Sequence, residues 1–247
     1  MNVAVMGTGH VGLVTSVALA RLGHDVIGTD IDEEKISLLR EGVSPFFEPG
    51  LEAALVGEIE ASGARGIAFA GDLRNRSVCD GAVATAVDRF GGLQILVNNA
   101  GVGAFANVQD TTDETWDDVI GTNLTAVFRM TRAAIPHLAH RGGHVVMVSS
   151  LAGQNPIAGM AAYCASKAAL DHFSTCLMLE VRQRGVRVTT IAPGSVDTSF
   201  AGASRPPDTA WMLSPEDIAR TVVDIVRLRD AAHTSRVEMR PARPQKR

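Results

Sequence analysis

The sequence has few cysteines and gives no sign of a disulfide framework or a metal site. Its three cysteines, Cys79, Cys164 and Cys176, are widely spaced, and none belongs to a C-x-x-C pair. An odd and sparse set of this kind argues against a disulfide-stabilised secreted domain and against a zinc site, and it is typical of reduced thiols in the cytoplasm. We therefore predict a cytoplasmic protein that holds no metal.

Strong charge and long apolar segments are also lacking. The formal net charge is −4 and charged residues make up 20% of the chain, so neither nucleic acid nor an anionic membrane is an expected partner. No stretch of about 18 apolar residues is present to cross a bilayer. Glycines at positions 7, 9 and 12 interrupt the apolar N-terminus, so we expect no signal peptide. The partner that remains is a small molecule.

Short apolar segments recur along the chain, and longer segments with a helical pattern separate them. Several of the short segments are rich in Val and Ile and are nearly continuously apolar, as expected for strands buried on both faces of a parallel sheet. Strands are predicted at residues 3–6, 25–28, 66–70, 93–97, 144–148, 186–191 and 236–239. Helices are predicted at residues 11–22, 33–40, 51–61, 77–90, 114–139, 160–184 and 215–228.

This alternation predicts an α/β fold. Right-handed crossovers would place helices on both faces of a seven-stranded parallel sheet, which gives a Rossmann-like, doubly wound, three-layer α/β/α sandwich. No linker or internal repeat divides the chain, so residues 1–247 are predicted to form a single dinucleotide-binding domain that also carries the catalytic site. Residues 41–50 and 202–210 are rich in proline and glycine, and we expect irregular loops there.

A G-x-G-x-x-G motif at residues 7–12 follows the first predicted strand and opens the first predicted helix. Its first glycine permits a tight turn, its second lets the backbone approach a pyrophosphate, and its third lets the helix pack closely on the strand. Asp30 ends the second predicted strand, where a carboxylate accepts hydrogen bonds from the ribose hydroxyls of NAD and repels the extra phosphate of NADP. We predict NAD rather than NADP. The residues predicted to bind it here are Gly7, Thr8, Gly9, His10, Val11, Gly12, Asp30 and Ile31.

Two resemblances to known families meet near residue 58. Residues 1–55 resemble the start of the UDP-glucose/GDP-mannose dehydrogenases, and the similarity extends to Ser44-Pro45 and Glu48-Pro49-Gly50. Residues 58–247 resemble the short-chain dehydrogenase/reductase family, whose usual T-G-x-x-x-G-x-G opening this chain lacks. Together they imply a hybrid, with a first β-α-β phosphate-binding unit at residues 1–57 on a short-chain dehydrogenase body.

Several motifs carry the second resemblance, and they occur in the order in which the family has them. They are Asp72-Leu73, the N-N-A-G sequence at 98–101, Asn123, the serine pair at 149–150, the Y-x-x-x-K motif at 163–167 and the P-G-x-x-x-T motif at 193–198. The resemblance implies that Asn123, Ser150, Tyr163 and Lys167 are catalytic. It implies that further cofactor contacts come from Asp72, Leu73, Asn99, Ala100, Gly101, Tyr163, Lys167, Pro193, Gly194, Val196 and Thr198.

The chemistry of the Y-x-x-x-K motif follows from its spacing. Tyr163 and Lys167 are four residues apart in a predicted helix and share a face. A phenol with a pKa of about 10 is a poor base at neutral pH, and a neighbouring ammonium lowers that pKa. Tyr163 is therefore predicted to exchange the proton of a secondary alcohol while hydride moves to or from nicotinamide, and Lys167 can also hold ribose hydroxyls. The family implies that Ser150 holds the substrate oxygen and that Asn123 holds a water linking Lys167 to solvent.

Two other functions fit parts of the sequence. A nucleotide-sugar dehydrogenase would need a further sugar-binding domain and a cysteine nucleophile in a glycine-rich segment. A chain of 247 residues has no room for the former, and none of its cysteines lies in the latter context. A non-catalytic dinucleotide-binding protein is the remaining alternative, and the complete set of catalytic residue types argues against it.

Three further expectations concern substrate, assembly and histidines. Residues 199–213 are expected to line an open pocket for a small carbonyl or alcohol substrate. The predicted helices at 114–139 and 160–184 are apolar on more than one side, and the family implies that they pair between subunits of a homodimer or homotetramer. His137, His140 and His144 are expected at a solvated helix end rather than in a metal site.

Overall fold

A computed structural model describes residues 1–45, 63–140, 142–198, 200, 208–229 and 231–243. In these residues, parallel strands form one seven-stranded sheet in the order β3-β2-β1-β4-β5-β6-β7. The strands are β1 (Asn2–Met6), β2 (Asp25–Asp30), β3 (Gly66–Ala70), β4 (Ile95–Asn98), β5 (His144–Val148), β6 (Arg187–Pro193) and β7 (Arg236–Met239). The predicted sheet is confirmed.

Helices connect the strands and cover both faces of the sheet. They are α1 (His10–Arg21), α2 (Glu33–Arg40), α3 (Arg76–Phe90), α4 (Asp113–Ile120), α5 (Ala126–Leu138), α6 (Ala161–Val181) and α7 (Pro215–Val226). The helix predicted at residues 51–61 lies outside the described residues, as do most of the expected loop at 202–210 and half of the one at 41–50. None of the helices in the described part of the chain combines the length and apolar composition that a bilayer crossing requires.

Alternation along each strand divides the core into two layers. In β1, Ala4 and Met6 pack with α3, α5 and α6, whereas Val3 and Val5 pack with α1 and α7. Since side chains of successive strand residues point to opposite faces, a strand that is apolar throughout feeds both layers. The Rossmann-like three-layer fold predicted from the continuous apolar segments is therefore the observed one.

The helix predicted at residues 114–139 is confirmed in its extent, from Asp113 to Leu138, but it is not a regular α-helix throughout. It is divided into α4 and α5 by one π-helical turn, Gly121–Thr125, with Asn123 at its centre. Such π turns widen the helix by one residue and are frequent at functional sites. Here the turn brings the Asn123 side chain, which is fully buried, against the segment that follows β4.

The order of the strands decides where a ligand can bind. The direction in which successive strands are added to the sheet reverses between β1 and β4, which are parallel neighbours although β2 and β3 separate them in sequence. At such a switch point the loops beyond the carboxyl ends of the strands diverge and leave a crevice. The loops that follow β1, β4, β5 and β6 therefore meet at one edge of the sheet.

Candidate active site

A cleft of about 1590 Å³ opens at this edge of the sheet. Most of the residues predicted from the motifs line it. The predicted residues that line it are Gly7, Gly9, His10, Val11, Asp30, Ile31, Asp72, Leu73, Asn99, Ala100, Gly101, Ser150, Tyr163, Lys167, Pro193, Gly194, Val196 and Thr198. Thr8, Gly12 and Asn123 are the predicted residues that do not line the cleft. All three are buried.

The loop between β1 and α1 is packed so tightly that two of its glycines are required. Gly7 has φ +78°, and a Cβ there would lie 2.7 Å from Ala100 Cα. A Cβ on Gly12 would lie 1.9 Å from the Gly7 carbonyl oxygen. Gly9 differs, because a Cβ there would meet nothing within 4 Å. The space beside Gly9 is therefore open toward the cleft, next to the first turn of α1, where amide N–H groups and the helix dipole favour an anion.

Asp30 is held at the end of β2 by several donors. Its Oδ2 accepts hydrogen bonds from Thr8 N (3.0 Å) and Thr8 Oγ1 (2.9 Å), and Asp32 N donates to Oδ1 (3.2 Å). Burial alone would raise the pKa of this carboxyl, but these hydrogen bonds and the charge of Lys35 more than offset it, so the pKa lies below its ordinary value. Asp30 is therefore an ionised carboxylate at neutral pH, and Thr8 serves to orient it.

Sequence reasoning missed the partner of this carboxylate. Lys35 Nζ lies 3.1 Å from Asp30 Oδ2 and lines the same cleft. Asp32 caps α2 by accepting from Lys35 N, and that helix start brings the Lys35 side chain back over the end of β2. The five-residue spacing between Asp30 and Lys35 was visible in the sequence, but it implies a contact only once α2 is known to begin at Glu33.

Tyr163 and Lys167 lie on one face of α6 at the floor of the cleft. Lys167 is buried, its Nζ donates to the Val148 carbonyl oxygen (2.9 Å), and Nζ lies 5.8 Å from the centroid of the Tyr163 ring. Burial lowers the pKa of Lys167 to about 8, against a smaller opposing effect of Asp171. The Lys167 ammonium is therefore close to the point at which it can lose a proton near neutral pH.

The expected lowering of the Tyr163 pKa is not found in the free protein. Burial raises the pKa of the phenol, a side-chain hydrogen bond with Ser150 lowers it, and a charge on Cys164 would raise it further; the sum lies above the ordinary value. The sequence argument counted the charge of Lys167 and left out desolvation, which disfavours the phenolate. Tyr163 is thus a neutral hydrogen-bond donor in this state.

The two serines that follow β5 have different environments. Ser149 is buried, and its hydroxyl donates to the Lys167 carbonyl oxygen (3.4 Å). Ser150 lines the cleft, accepts from Ala152 N (3.1 Å) and reaches Tyr163. Of the pair, only Ser150 can present its hydroxyl beside that of Tyr163 to a ligand.

Asn123 contacts the chain behind the cleft. Its Oδ1 accepts from Val102 N (2.8 Å), and its Nδ2 donates to Val102 O (2.9 Å) and to Ser166 Oγ (3.0 Å). A Cβ on Gly101 would lie 3.4 Å from Lys167 Nζ and 3.5 Å from Asn123 Oδ1, so these groups enclose one small space. In the described residues Asn123 therefore fixes the segment after β4, and no direct bond joins it to Lys167.

A wall of apolar side chains faces Tyr163 across the cleft. The Phe200 ring lies 5.2 Å from the Tyr163 ring between centroids, and Phe105 and Ile157 on the opposite rim are 60% and 48% exposed. From the segment 199–213, expected to line the pocket, Phe200, Trp211 and Met212 do so, while 199 and 201–207 lie outside the described residues. The site is suited to an apolar molecule with one polar atom near Tyr163 and Ser150.

The expected solvated position of His144 is wrong. This residue begins β5, is 2% exposed, and its Nε2 lies 2.8 Å from Thr189 Oγ1 on β6. His144 is the first residue of the strand predicted at 144–148, and Gly142 and Gly143 separate it from the end of the preceding helix.

Comparisons with known proteins identify the family of this chain. A family model described as short chain dehydrogenase matches residues 2–209. A 2,5-dichloro-2,5-cyclohexadiene-1,4-diol dehydrogenase of Sphingobium indicum is 36% identical over 203 residues, 82% of this chain and 74% of that protein. An NAD-dependent oxidoreductase of Mycobacterium tuberculosis, named as uncharacterised, is 38% identical over 188 residues, 74% of this chain and 66% of that protein.

Solved structures agree as well. A metagenomic short-chain oxidoreductase in complex with NADP has a TM-score of 0.79 and 32% identity, with 98% of each chain covered. An alcohol dehydrogenase of Thermococcus sibiricus, complexed with 5-hydroxy-NADP, has a TM-score of 0.84 over 99% of this chain and 98% of that chain; at 21% identity it shows the fold alone.

The family match also bears on the expected hybrid. It begins at residue 2, so the first β-α-β unit and the catalytic body fall within one family model, and the expected change of family near residue 58 is not supported. The loop at residues 7–12 therefore lies within the same family match as the Y-x-x-x-K motif. The protein is an oxidoreductase that belongs to the short-chain dehydrogenase family.

Proposed function

We propose that this protein transfers a hydride between a nicotinamide dinucleotide and a secondary alcohol or ketone, with Tyr163 as general acid/base and with Ser150, Lys167 and Asn123 in support. The observation that carries the proposal is the meeting of Ser150 and Tyr163 at the floor of the cleft, above the buried Lys167. We further propose that residues 1–247 act as one domain, in the cytoplasm, as a homodimer or homotetramer.

The residues of the cleft fit a dinucleotide. The open space beside Gly9 and the N-terminus of α1 suit a pyrophosphate. Within the described residues Asp30 Oδ1 accepts a single hydrogen bond, from Asp32 N (3.2 Å), so it can still accept from a ribose hydroxyl. Asn99 Nδ2 donates to the Gly7 carbonyl oxygen (3.0 Å) and fixes the phosphate loop against the N-N-A-G segment. When bound, the nicotinamide would supply or accept the hydride.

The side chains of the protein would manage the proton. Tyr163, neutral in the free protein, can donate to a carbonyl oxygen as it becomes an alkoxide, or accept the proton of an alcohol in the reverse direction. Ser150 would orient that oxygen by a second hydrogen bond. Lys167, with its pKa at about 8 and its Nζ 5.8 Å from the centroid of the Tyr163 ring, can replace the proton on Tyr163.

Asn123 would act on the position of Lys167 and on the segment after β4. Its Nδ2 donates to Val102 O and Ser166 Oγ and its Oδ1 accepts from Val102 N, so any proton path past it would run through the space that Oδ1 shares with Gly101 and Lys167. Among the cofactors, we propose NAD as the better substrate, because an ionised Asp30 disfavours a second phosphate at the ribose.

The test is a screen of secondary alcohols with NAD and with NADP, and of ketones with NADH and NADPH, followed by nicotinamide absorbance. We expect turnover of apolar secondary alcohols or ketones. Binding of the cofactor, measured by calorimetry, without turnover of any alcohol or ketone would contradict the proposal and support the non-catalytic alternative.

A further inference from the structure

A second groove, of about 520 Å³, adjoins the cleft on the side of β7 and α7. Trp211, Met212, Arg240 and Pro241 line both spaces, so the groove continues the cleft beyond its apolar wall. It lies past the edge strand β7, whereas Asp30 lies at the end of β2 on the other half of the sheet. The groove is therefore remote from the region proposed for the adenosine end of the cofactor.

Backbone hydrogen bonds build the groove as a defined part of the fold. Leu213 N donates to Ser195 O (3.0 Å) and Asp197 N to Leu213 O (2.8 Å), which joins the segment before α7 to the loop after β6. Gly194 N donates to Met239 O (2.8 Å) and fixes the end of β7 beside the same loop. The wall between cleft and groove is thus attached to the loop that carries Pro193 and Gly194.

The charge of the groove is unusual for this acidic protein. Three arginines line it, Arg220 from α7 and Arg240 and Arg243 from the segment after β7. Arg240 donates to Glu238 (2.9 Å), which is outside the lining, whereas Arg220 and Arg243 have no hydrogen bond or ion pair within the described residues. Two guanidinium groups are therefore available to a ligand.

The one carboxylate among the described lining residues does not neutralise them. Asp217 belongs to the capping box of α7, in which its carboxylate accepts from Ser214 N (2.9 Å) while Asp217 N donates to Ser214 Oγ (3.2 Å). Guanidinium groups present paired N–H donors that match the oxygen atoms of a carboxylate or phosphate. The groove is also lined by the apolar side chains of Met212, Leu213 and Met239, of which Met212 lines the cleft as well.

We propose that this groove binds an anionic end group of the substrate, so that the enzyme acts on ketones or secondary alcohols whose apolar chain ends in a carboxylate or a phosphate. The inference rests on the proposed function, since the reacting carbon must lie at Tyr163. The chain of the substrate would pass Trp211, whose ring is fixed by a hydrogen bond from Nε1 to Asp208 O (3.2 Å). Arg220 and Arg243 would then select for substrates by charge.

The first experiment compares matched substrates. A series of methyl ketones with a terminal carboxylate, at increasing chain length, is assayed beside the corresponding methyl esters, and a terminal phosphate series distinguishes the two anions. At low salt we expect kcat/KM for the best acid or phosphate to exceed that of its neutral counterpart by about tenfold or more, and the ratio to fall as salt is added. A ratio near one at every chain length, with neutral ketones still turned over, overturns the inference and leaves the proposed function intact.

Variants locate the effect. The double variant Arg220→Ala/Arg243→Ala should lose most of the preference for the anion while keeping its turnover of the methyl esters. Arg184→Ala changes an exposed arginine that precedes β6, at the amino ends of the strands and away from the cleft, and should leave the preference unchanged. A double variant that keeps the full preference for the anion overturns the inference. So does a double variant whose loss of preference is accompanied by a changed oligomeric state in light scattering, because the arginines would then act on assembly.

Binding can be read without turnover. The chain has two tryptophans, Trp116 and Trp211, so a Trp116→Phe variant reports on Trp211 alone. The keto acid should change its fluorescence, and the Arg220→Ala/Arg243→Ala changes in the same background should weaken that response. Binding of this kind by a protein that turns over no ketone would contradict the proposed function but support the groove, whereas no response at any concentration that supports turnover would contradict the groove.

Discussion

Lys35 Nζ lies 3.1 Å from Asp30 Oδ2, so the carboxylate expected to exclude NADP carries its own counter-ion. Lys35 is 22% exposed in its side chain and Asp30 9%, so the ammonium is on the solvent side of the pair. At about 4 Å and an effective dielectric of about 20, two like charges repel by about 4 kcal/mol before screening, and a lysine beside them cancels part of that repulsion. The preference for NAD is therefore expected to be weaker than Asp30 alone would give.

Substitutions of Asp30 and of Lys35 are expected to change the preference for NAD in opposite directions. Wild-type protein should bind NAD more tightly than NADP. Asp30→Ser should lose much of that preference, because Lys35 is then free to approach the 2′-phosphate, and Lys35→Ala should strengthen it. Titration of both cofactors into the wild type, both single variants and the double variant checks this. A ratio of NAD to NADP affinity that Asp30→Ser leaves unchanged would show that Asp30 does not face the ribose.

Tyr163→Phe removes the proton-transfer group and keeps the ring that packs against Phe200. General acid–base catalysis contributes about 10²–10⁴-fold in rate, so kcat should fall by that factor while cofactor affinity changes little. Steady-state kinetics measure kcat, and titration of the cofactor measures its affinity. A variant with more than about half of the wild-type kcat would contradict the assignment of Tyr163 as general acid/base.

Lys167 is buried at a cost to stability. Its pKa is lowered from 10.5 to about 8, so the unfolded chain binds more protons than the folded one between these values, and stability should rise with pH in that window. Lys167→Met should abolish turnover yet raise the free energy of unfolding at pH 7, by up to about 3 kcal/mol at about 1.4 kcal/mol per pKa unit. Denaturant unfolding of both proteins over a range of pH should show this advantage shrinking toward pH 10; an advantage independent of pH would attribute it to packing.

His144 makes a prediction of the same sign on the acid side, where stability should also rise with pH. Burial, with smaller effects of Arg187 and His233, lowers its pKa from 6.5 to about 3. The folded protein therefore keeps His144 neutral while the unfolded chain takes up a proton, so stability is lost as pH falls from 6.5 toward 3. His144→Gln should lose less stability than the wild type over this interval, by up to about 3 kcal/mol at pH 4. If the free energy of unfolding of the two proteins fell in parallel between pH 6.5 and pH 4, the role assigned to His144 would be contradicted.

Helices α5 and α6 are expected to form the contact between subunits. Phe128 on α5 is 44% exposed with Arg132 stacked over its ring, and Leu179 on α6 is 54% exposed. Light scattering should give a dimer or tetramer of the 26.0 kDa chain. Phe128→Gln/Leu179→Gln should shift it toward monomer, whereas Leu22→Gln, at an exposed position after α1, should not. A wild-type monomer at micromolar concentration would contradict the assembly.

By itself the sequence determined the elements and the motif positions, because both depend on residues close together in the chain. Continuous apolar segments specified strands buried on two faces, and the spacing of Gly7, Gly9 and Gly12 specified a loop that opens a helix. Tyr163 and Lys167 could be placed on one face from the helical period alone. These signals are local, so they hold before any packing is known.

Only the tertiary structure decided what those residues experience. The Asn123 amide pairs with the Val102 backbone because a π turn divides a helix that the sequence pattern showed as continuous. Packing raises the pKa of the Tyr163 phenol because it removes the group from water. The residues next to Tyr163 in sequence do not show how far it is desolvated. Arg220 and Arg240 reach one groove only because α7 and the end of β7 meet at the sheet edge. Burial and charge pairing depend on distances between segments far apart in sequence, and folding alone fixes those distances.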